Sequence, residues 1–219
     1  LGEPSARVAC IGPAGEKLVR FANVMFDNRF AAGRGGLGAV MGSKKLKAVA
    51  VRGTKRPFDF YDMKKLIDIA KWFNDNWKKF PGAVMRSTYG TLDGLKALNS
   101  DGILPTLNFR GGSFDKADQL SGDVLNNTIL LHREGCFACP LRCKPTVRAK
   151  APYETDPDYG GPEYETVASL GTLCGIGDLN VISYANQICN AYGVDTISAG
   201  AAIAFAMELF ERGIITEQD

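Results

Sequence analysis

Three cysteines fall within the ten-residue run Gly135-Cys136-Phe137-Ala138-Cys139-Pro140-Leu141-Arg142-Cys143-Lys144. Their spacing, Cys-x2-Cys-x3-Cys, constrains the backbone more tightly than any other stretch of the chain. Such short gaps let neighbouring thiolates converge on three corners of one cuboidal iron–sulfur cluster without strain. Gly135 and Pro140 suit a turning loop, and Arg142 and Lys144 offset the negative charge of a cluster and its thiolates. A fourth ligand is required, and no nearby cysteine supplies it. Zinc is an alternative, although zinc sites usually show two Cys-x2-Cys pairs or a Cys/His mixture. Unligated thiols are a further one. The only histidine, His132, precedes Cys136 on the same stretch and reads as a surface or packing residue. Cys10, Cys174 and Cys189 stand alone in apolar or mixed surroundings, as small buried side chains do.

A cysteine cluster of this kind fits metal ligation in a reducing, cytoplasmic setting better than a secreted disulfide scaffold. The chain has 26 basic and 24 acidic residues, a formal net charge of +2. That balance gives no reason to invoke nucleic acid or an acidic membrane surface. No apolar run approaches the ~20 residues of a membrane helix. The opening Leu1-Gly2-Glu3-Pro4-Ser5 has neither the basic start nor the apolar stretch of a signal peptide.

The hydrophobic pattern divides the chain. Residues 6–12 form a short apolar run ending in Gly-Pro, which predicts a strand. Residues 16–27 are ambiguous between helix and strand, and the valine alternation of residues 46–53 predicts a second strand. Residues 54–57 read as a linker. From Tyr61, Met63, Leu66, Ile67, Ala70 and Phe73 recur at helical spacing. A short helix over 91–98 is ended by Asn99-Ser100-Asp101-Gly102. Two helices close the chain, over 178–191 behind Asp178 and over 196–212 before Gly213. The fold class is therefore α+β: a β-rich segment over 1–56, then a mainly helical domain over 57–219 carrying the cysteine triplet. The first segment looks too small to close a sheet of its own and reads as the end of a larger β domain.

Between the two strands, Gly33-Arg34-Gly35-Gly36-Leu37-Gly38 matches Gly-x-Gly-x-x-Gly. Glycines let backbone N–H groups approach a phosphate. A dinucleotide site would also need a parallel βαβ unit and an acid after the second strand, where only Asp59 is near the right distance. A purely structural glycine turn is the other alternative.

Several runs together resemble the aldehyde:ferredoxin oxidoreductase family. They are Ile11-Gly12-Pro13-Ala14-Gly15-Glu16, the stretch from Ala32 to Lys44, the cysteine triplet, Gly161-Pro162-Glu163-Tyr164-Glu165-Thr166, and Asn190-Ala191-Tyr192-Gly193-Val194-Asp195. The likeness runs through nearly the whole chain in the family's order. It implies a tungsten (or molybdenum) bis-pterin centre beside a 4Fe-4S cluster. It also implies oxidation of small aldehydes to carboxylic acids, ferredoxin or another carrier as electron acceptor, and an oligomeric full-length protein. Some relatives of this kind reduce aromatic acyl-CoA thioesters instead. By the resemblance, residues 1–56 are the later part of the pterin-binding β domain. Ala31, Gly33, Arg34 and Gly35 contact one pterin and its phosphate, and Asn190, Val194 and Asp195 line the other pterin segment. Cys136, Cys139 and Cys143 ligate the cluster, with the fourth ligand from a second helical domain beyond residue 219, and Glu165 sits at the metal as acid/base or proton relay. The family's Asp-x-x-Gly-Leu-Asp is here Asn190-x-x-Gly193-Val194-Asp195; asparagine still accepts a hydrogen bond from a pterin amine, without the charge. Glu163 and Glu165 also suit a helix N-terminus, and Asp195 a helix cap. An inactive fragment or zinc-binding module is the competing class, and the isolated 219-residue chain is expected to be inactive.

Overall fold

The computed structural model describes residues 2–3, 5–53 and 60–218. The linker expected over 54–57, the boundary between 56 and 57, and Asp59 lie outside the described residues. In chain order the elements are β1 (Arg7–Ile11), α1 (Pro13–Glu16), β2 (Val24–Phe26), β3 (Phe30–Ala32), α2 (Leu37–Ser43) and β4 (Ala48–Val51). Then follow α3 (Met63–Asn76), α4 (Pro81–Tyr89), α5 (Leu95–Ser100), α6 (Gly122–Thr128), β5 (Leu130–Glu134), β6 (Lys144–Val147), α7 (Tyr164–Leu170), α8 (Leu179–Tyr192) and α9 (Thr196–Glu211). The fold is α+β, as the pattern predicts.

The first segment does form a sheet, of four strands in the order β3-β2-β1-β4. Every pairing in it is antiparallel, with Ala9 opposite both Phe26 and Val49. Its β4 residues are all exposed. The glycine run is a turn into α2, entered through Gly36 at φ 71°. With an antiparallel sheet there is no parallel βαβ unit among the described residues, so the dinucleotide alternative fails.

Aspartates start the long helices. Asp62 accepts from Lys65 N, Asp178 from Asn180 N, and Asp195 from Ile197 N and Ser198 N. Gly193, at φ 69°, ends α8, and Val194 N returns to Cys189 O at 2.8 Å. The core of the helical part holds Leu95, Leu104, Leu120, Leu125, Val167 and Ile182, each fully buried. No single helix among the described residues is long and apolar enough to cross a membrane.

The two parts of the chain meet at the α8–α9 turn. Ala22 bridges Val194, Asn23 N donates to Gly193 O at 2.8 Å, and Asp195 N donates to Phe21 O at 3.1 Å. Gly12 lies so close that a Cβ there would stand 2.2 Å from Tyr192 O. Gly12→Ala is therefore expected to destabilise the chain by about 3 kcal/mol, the upper end for overpacking. The midpoint of urea unfolding measures it; an unchanged midpoint would mean that this contact is not close-packed.

Candidate functional site

Two adjoining cavities open where these segments meet. The smaller, of about 140 Å³, is walled by Asn23, Arg29, Ala31 and Gly33 from the β part. Lys144, Gly161, Glu163, Thr166, Asn186, Asn190, Val194, Asp195 and Thr196 close it from the helical part. The larger cleft, of about 490 Å³, shares Gly33, Glu163, Thr166, Asp195 and Thr196 with it and adds Arg34, Arg86, Asp93, Tyr164 and Glu165. Of the residues expected from sequence, Ala31, Gly33, Arg34, Asn190, Val194, Asp195 and Glu165 thus converge on one place. Gly35 lines neither cavity.

Charge organises the walls. Asp195 is 4% exposed; its carboxylate accepts from Ile197 N at 3.0 Å, Ser198 N at 3.3 Å and Ser198 Oγ at 2.5 Å. It is therefore the cap of α9 and a cavity wall together. Arg34 Nη1 stands 3.7 Å from Asp195 Oδ2. Lys144 Nζ lies 3.5 Å from Glu163 Oε2 and over the Phe30 ring at 5.3 Å. Arg29 Nη1 pairs with Glu134 Oε1 at 3.2 Å, and Arg86 Nε with Asp93 Oδ2 at 3.2 Å. Glu163 caps α7 by position, without a side-chain cap bond, and Glu165 is exposed in its first turn. Burial, and then the charge of Glu165, push the Tyr164 phenol above its usual range.

The cysteine loop joins β5 to β6, an antiparallel hairpin that pairs Glu134 with Lys144. It turns through Ala138 (φ 58°) and Arg142 (φ 48°), and Cys139 N donates to Cys136 O at 3.0 Å. A Cβ at Gly135 would stand 3.0 Å from Cys139 O. Arg133 ties the loop down, donating to Thr88 O, Asn126 Oδ1 and Cys143 O at 2.9, 2.6 and 3.0 Å. Cys136 and Cys139 line a third cavity with His132, Glu134, Arg142 and Arg29, and Arg29 also walls the smallest cavity. Burial, then the charges of Glu163, Cys136 and Cys139, raise the Cys143 thiol. Among the described residues no three His, Cys, Asp or Glu side chains converge as a formed metal site. Cys174 and Cys189 are buried and Cys10 half-buried, and burial with the Asp195 charge pushes Cys189 up to about 11.

Asn23, Arg29, Lys144 and Asn186 were not foreseen as wall residues. Asn186 carries a local signal, since it shares a helix face with Asn190 at i,i+4. The other three reach the cavity only through tertiary contact.

The family model for aldehyde ferredoxin oxidoreductase, N-terminal domain, matches residues 1–53, and that for domains 2 and 3 of the same family matches residues 68–219. A tungsten-containing aldehyde ferredoxin oxidoreductase of Pyrococcus abyssi is 43% identical over 100% of this chain and 35% of its own length. An aliphatic sulfonate oxidoreductase, WOR-like subunit, of Pyrococcus furiosus is 33% identical over 95% of this chain and 33% of its own. Among solved structures, an active-site complex of benzoyl coenzyme A reductase with 1,5-dienoyl-CoA superposes with a TM-score of 0.75 at 26% identity, covering 99% of this chain and 34% of that one. The chain spans about a third of the length of the curated relatives it matches. With most of its residues matched by these models, the chain belongs to the aldehyde ferredoxin oxidoreductase family.

Proposed function

We propose that this chain is part of an oxidoreductase that oxidises aldehydes to carboxylic acids at a tungsten (or molybdenum) bis-pterin centre, and that a 4Fe-4S cluster held by Cys136, Cys139 and Cys143 passes electrons to ferredoxin. One observation carries it. Segments as distant as Ala31–Arg34 and Asn190–Asp195 wall the same pair of cavities, with the carboxylate of Glu165 in the larger. The donor set suits the proposed cofactor. Asp195 and the Asn190 amide oxygen accept from ring amines, while Arg29, Lys144 and Arg34 offer cations to phosphate oxygens. We assign residues 1–56 to the C-terminal part of the pterin-binding β domain and 57–219 to the helical domain with the cysteine triplet; the family matches over 1–53 and 68–219 change over in the same region.

When bound, the metal–pterin centre supplies a two-electron acceptor and the cluster passes the electrons on singly. The chain's own work is positioning and proton handling. Converting an aldehyde and water to an acid releases two electrons and two protons, and Glu165 takes a proton from the attacking water or the substrate carbon. Asp195 holds Arg34 against the cavity wall, 3.7 Å away. Lys144 and Glu163, 3.5 Å apart, both line the smaller cavity, and Glu163 lines the larger as well.

A second reading, reduction of an aromatic acyl-CoA thioester, is favoured by the benzoyl coenzyme A reductase likeness. The higher identity to the tungsten aldehyde enzyme, 43% against 26%, favours aldehydes. The test is anaerobic expression at full length with tungstate, metal analysis, and viologen-linked assays on aldehydes and on benzoyl-CoA. About four irons with tungsten and aldehyde-dependent viologen reduction are expected. One zinc per chain and no turnover would replace the proposal with a structural module.

A further inference from the structure

We propose that Asn23 and Arg29 are cofactor-contacting residues that make a two-point polar contact in the smaller cavity. Asn23 Oδ1 accepts from an N–H of an amino-substituted heterocycle, and Arg29 Nε donates to an oxygen of the same ligand. The inference rests on the pterin reading above and extends it to two side chains outside the motifs that carry the family likeness.

The observation is one of unpaired buried atoms. Among the described residues, four buried side-chain polar atoms have no hydrogen-bond partner: Asn23 Oδ1, Arg29 Nε, Thr146 Oγ1 and Ser183 Oγ. Folded proteins leave few such groups unpaired, and each calls for a reason. Two of the four wall the same cavity of about 140 Å³, and Thr146 and Ser183 do not line it. Asn23 is 2% exposed, so bulk solvent does not reach it.

Both side chains are held in place by contacts that leave the unpaired atom free. Asn23 N donates to Gly193 O at 2.8 Å, and its carbonyl lies where a Cβ on Gly38 would stand 2.3 Å away. Arg29 spends Nη1 on Glu134 at 3.2 Å, and its Cβ packs over Gly160. Its Nε–H remains.

The rest of the wall narrows the ligand. Asn190 donates its Nδ2 to Tyr159 O at 3.0 Å, which leaves its oxygen as an acceptor beside the Asp195 carboxylate. Acceptors thus gather on Asn23, Asn190 and Asp195, and cationic donors on Arg29 and Lys144. A ligand that matches both carries ring amines and acidic or carbonyl oxygens, as a phosphorylated amino-pterin does. A metal ion would find no set of three ligating groups here, and an apolar ligand would leave Asn23 Oδ1 and Arg29 Nε without a partner.

The experiment uses the full-length protein made anaerobically with tungstate. The variants are Asn23→Ala, Arg29→Lys and the control Ser183→Ala. Arg29→Lys keeps the charge facing Glu134 but has no Nε. Pterin per chain is read by fluorescence after oxidative release, as is its rate of loss from the folded protein, with far-UV circular dichroism confirming folding. Asn23→Ala and Arg29→Lys are expected to lose pterin about tenfold faster, the size of one missing hydrogen bond to a buried partner. Ser183→Ala should match the parent. Pterin retention like the parent's in both cavity variants overturns the inference, and should Asn23→Ala fail to fold, Arg29→Lys decides on the same readout. A parent protein that contains no pterin would instead overturn the reading on which it rests.

Discussion

Exchanging Glu165 for glutamine in the full-length protein is expected to lower kcat for aldehyde oxidation by about 10²- to 10⁴-fold, the worth of a positioned general base. Glutamine has nearly the same shape but cannot take a proton. Glu165 is exposed in the 490 Å³ cleft, in the first turn of α7. The other carboxylates of that cleft are engaged: Asp93 by Arg86, Glu163 by Lys144 and Asp195 by Arg34 and the α9 N-terminus. No salt bridge holds Glu165 among the described residues, which leaves it the acid/base candidate of the proposed mechanism. The competing role is electrostatic support of the helix N-terminus, worth about 0.3–1 kcal/mol of stability. Aldehyde-dependent viologen reduction separates the two. Full turnover with a slightly lower melting temperature would assign Glu165 to the helix and remove it from the chemistry.

Cys139→Ala tests the other half of the site. Iron is expected to fall from about four atoms per chain to fewer than one, and ferredoxin-linked turnover to background. The loop should survive the change, because its ends are fixed by backbone and arginine contacts rather than by sulfur. The β5–β6 pairing runs up to Glu134 and Lys144, and Arg133 binds Thr88, Asn126 and Cys143. Loss of iron in a folded protein then reports ligation itself. Unchanged iron content with unchanged turnover would end the cluster assignment.

Sequence pattern disclosed the elements whose signals are local. Asp178 and Asp195 announced α8 and α9, Gly213 closed α9, and valine alternation announced β4. The β5–β6 hairpin was not legible, because His132, Arg133 and Glu134 give β5 no apolar alternation and Pro145 interrupts β6. Nor was α2, where glycines at 38 and 42 argue against a helix. Those glycines answer to packing: a Cβ at Gly42 would stand 1.9 Å from Gly15 O. At the site, Glu165, Arg34, Asn190 and Asp195 were found by family likeness, since nothing in their spacing says that they meet. Asn23 and Arg29 gave no sign at all, and Lys144 only as a cation beside the cysteines, because a side chain becomes a cavity wall only when distant backbone closes on it.

That closure has a consequence for the timing of assembly in the cell. One wall of the small cavity is complete once Gly33 is synthesised, but the opposite wall ends at Asp195 and Thr196. At about 5–20 residues per second, a ribosome needs roughly 8–30 s to travel between them. During that interval the two walls cannot close on anything between them. A group held between both walls can therefore be gripped from both sides only after α8 and the α8–α9 turn have been translated.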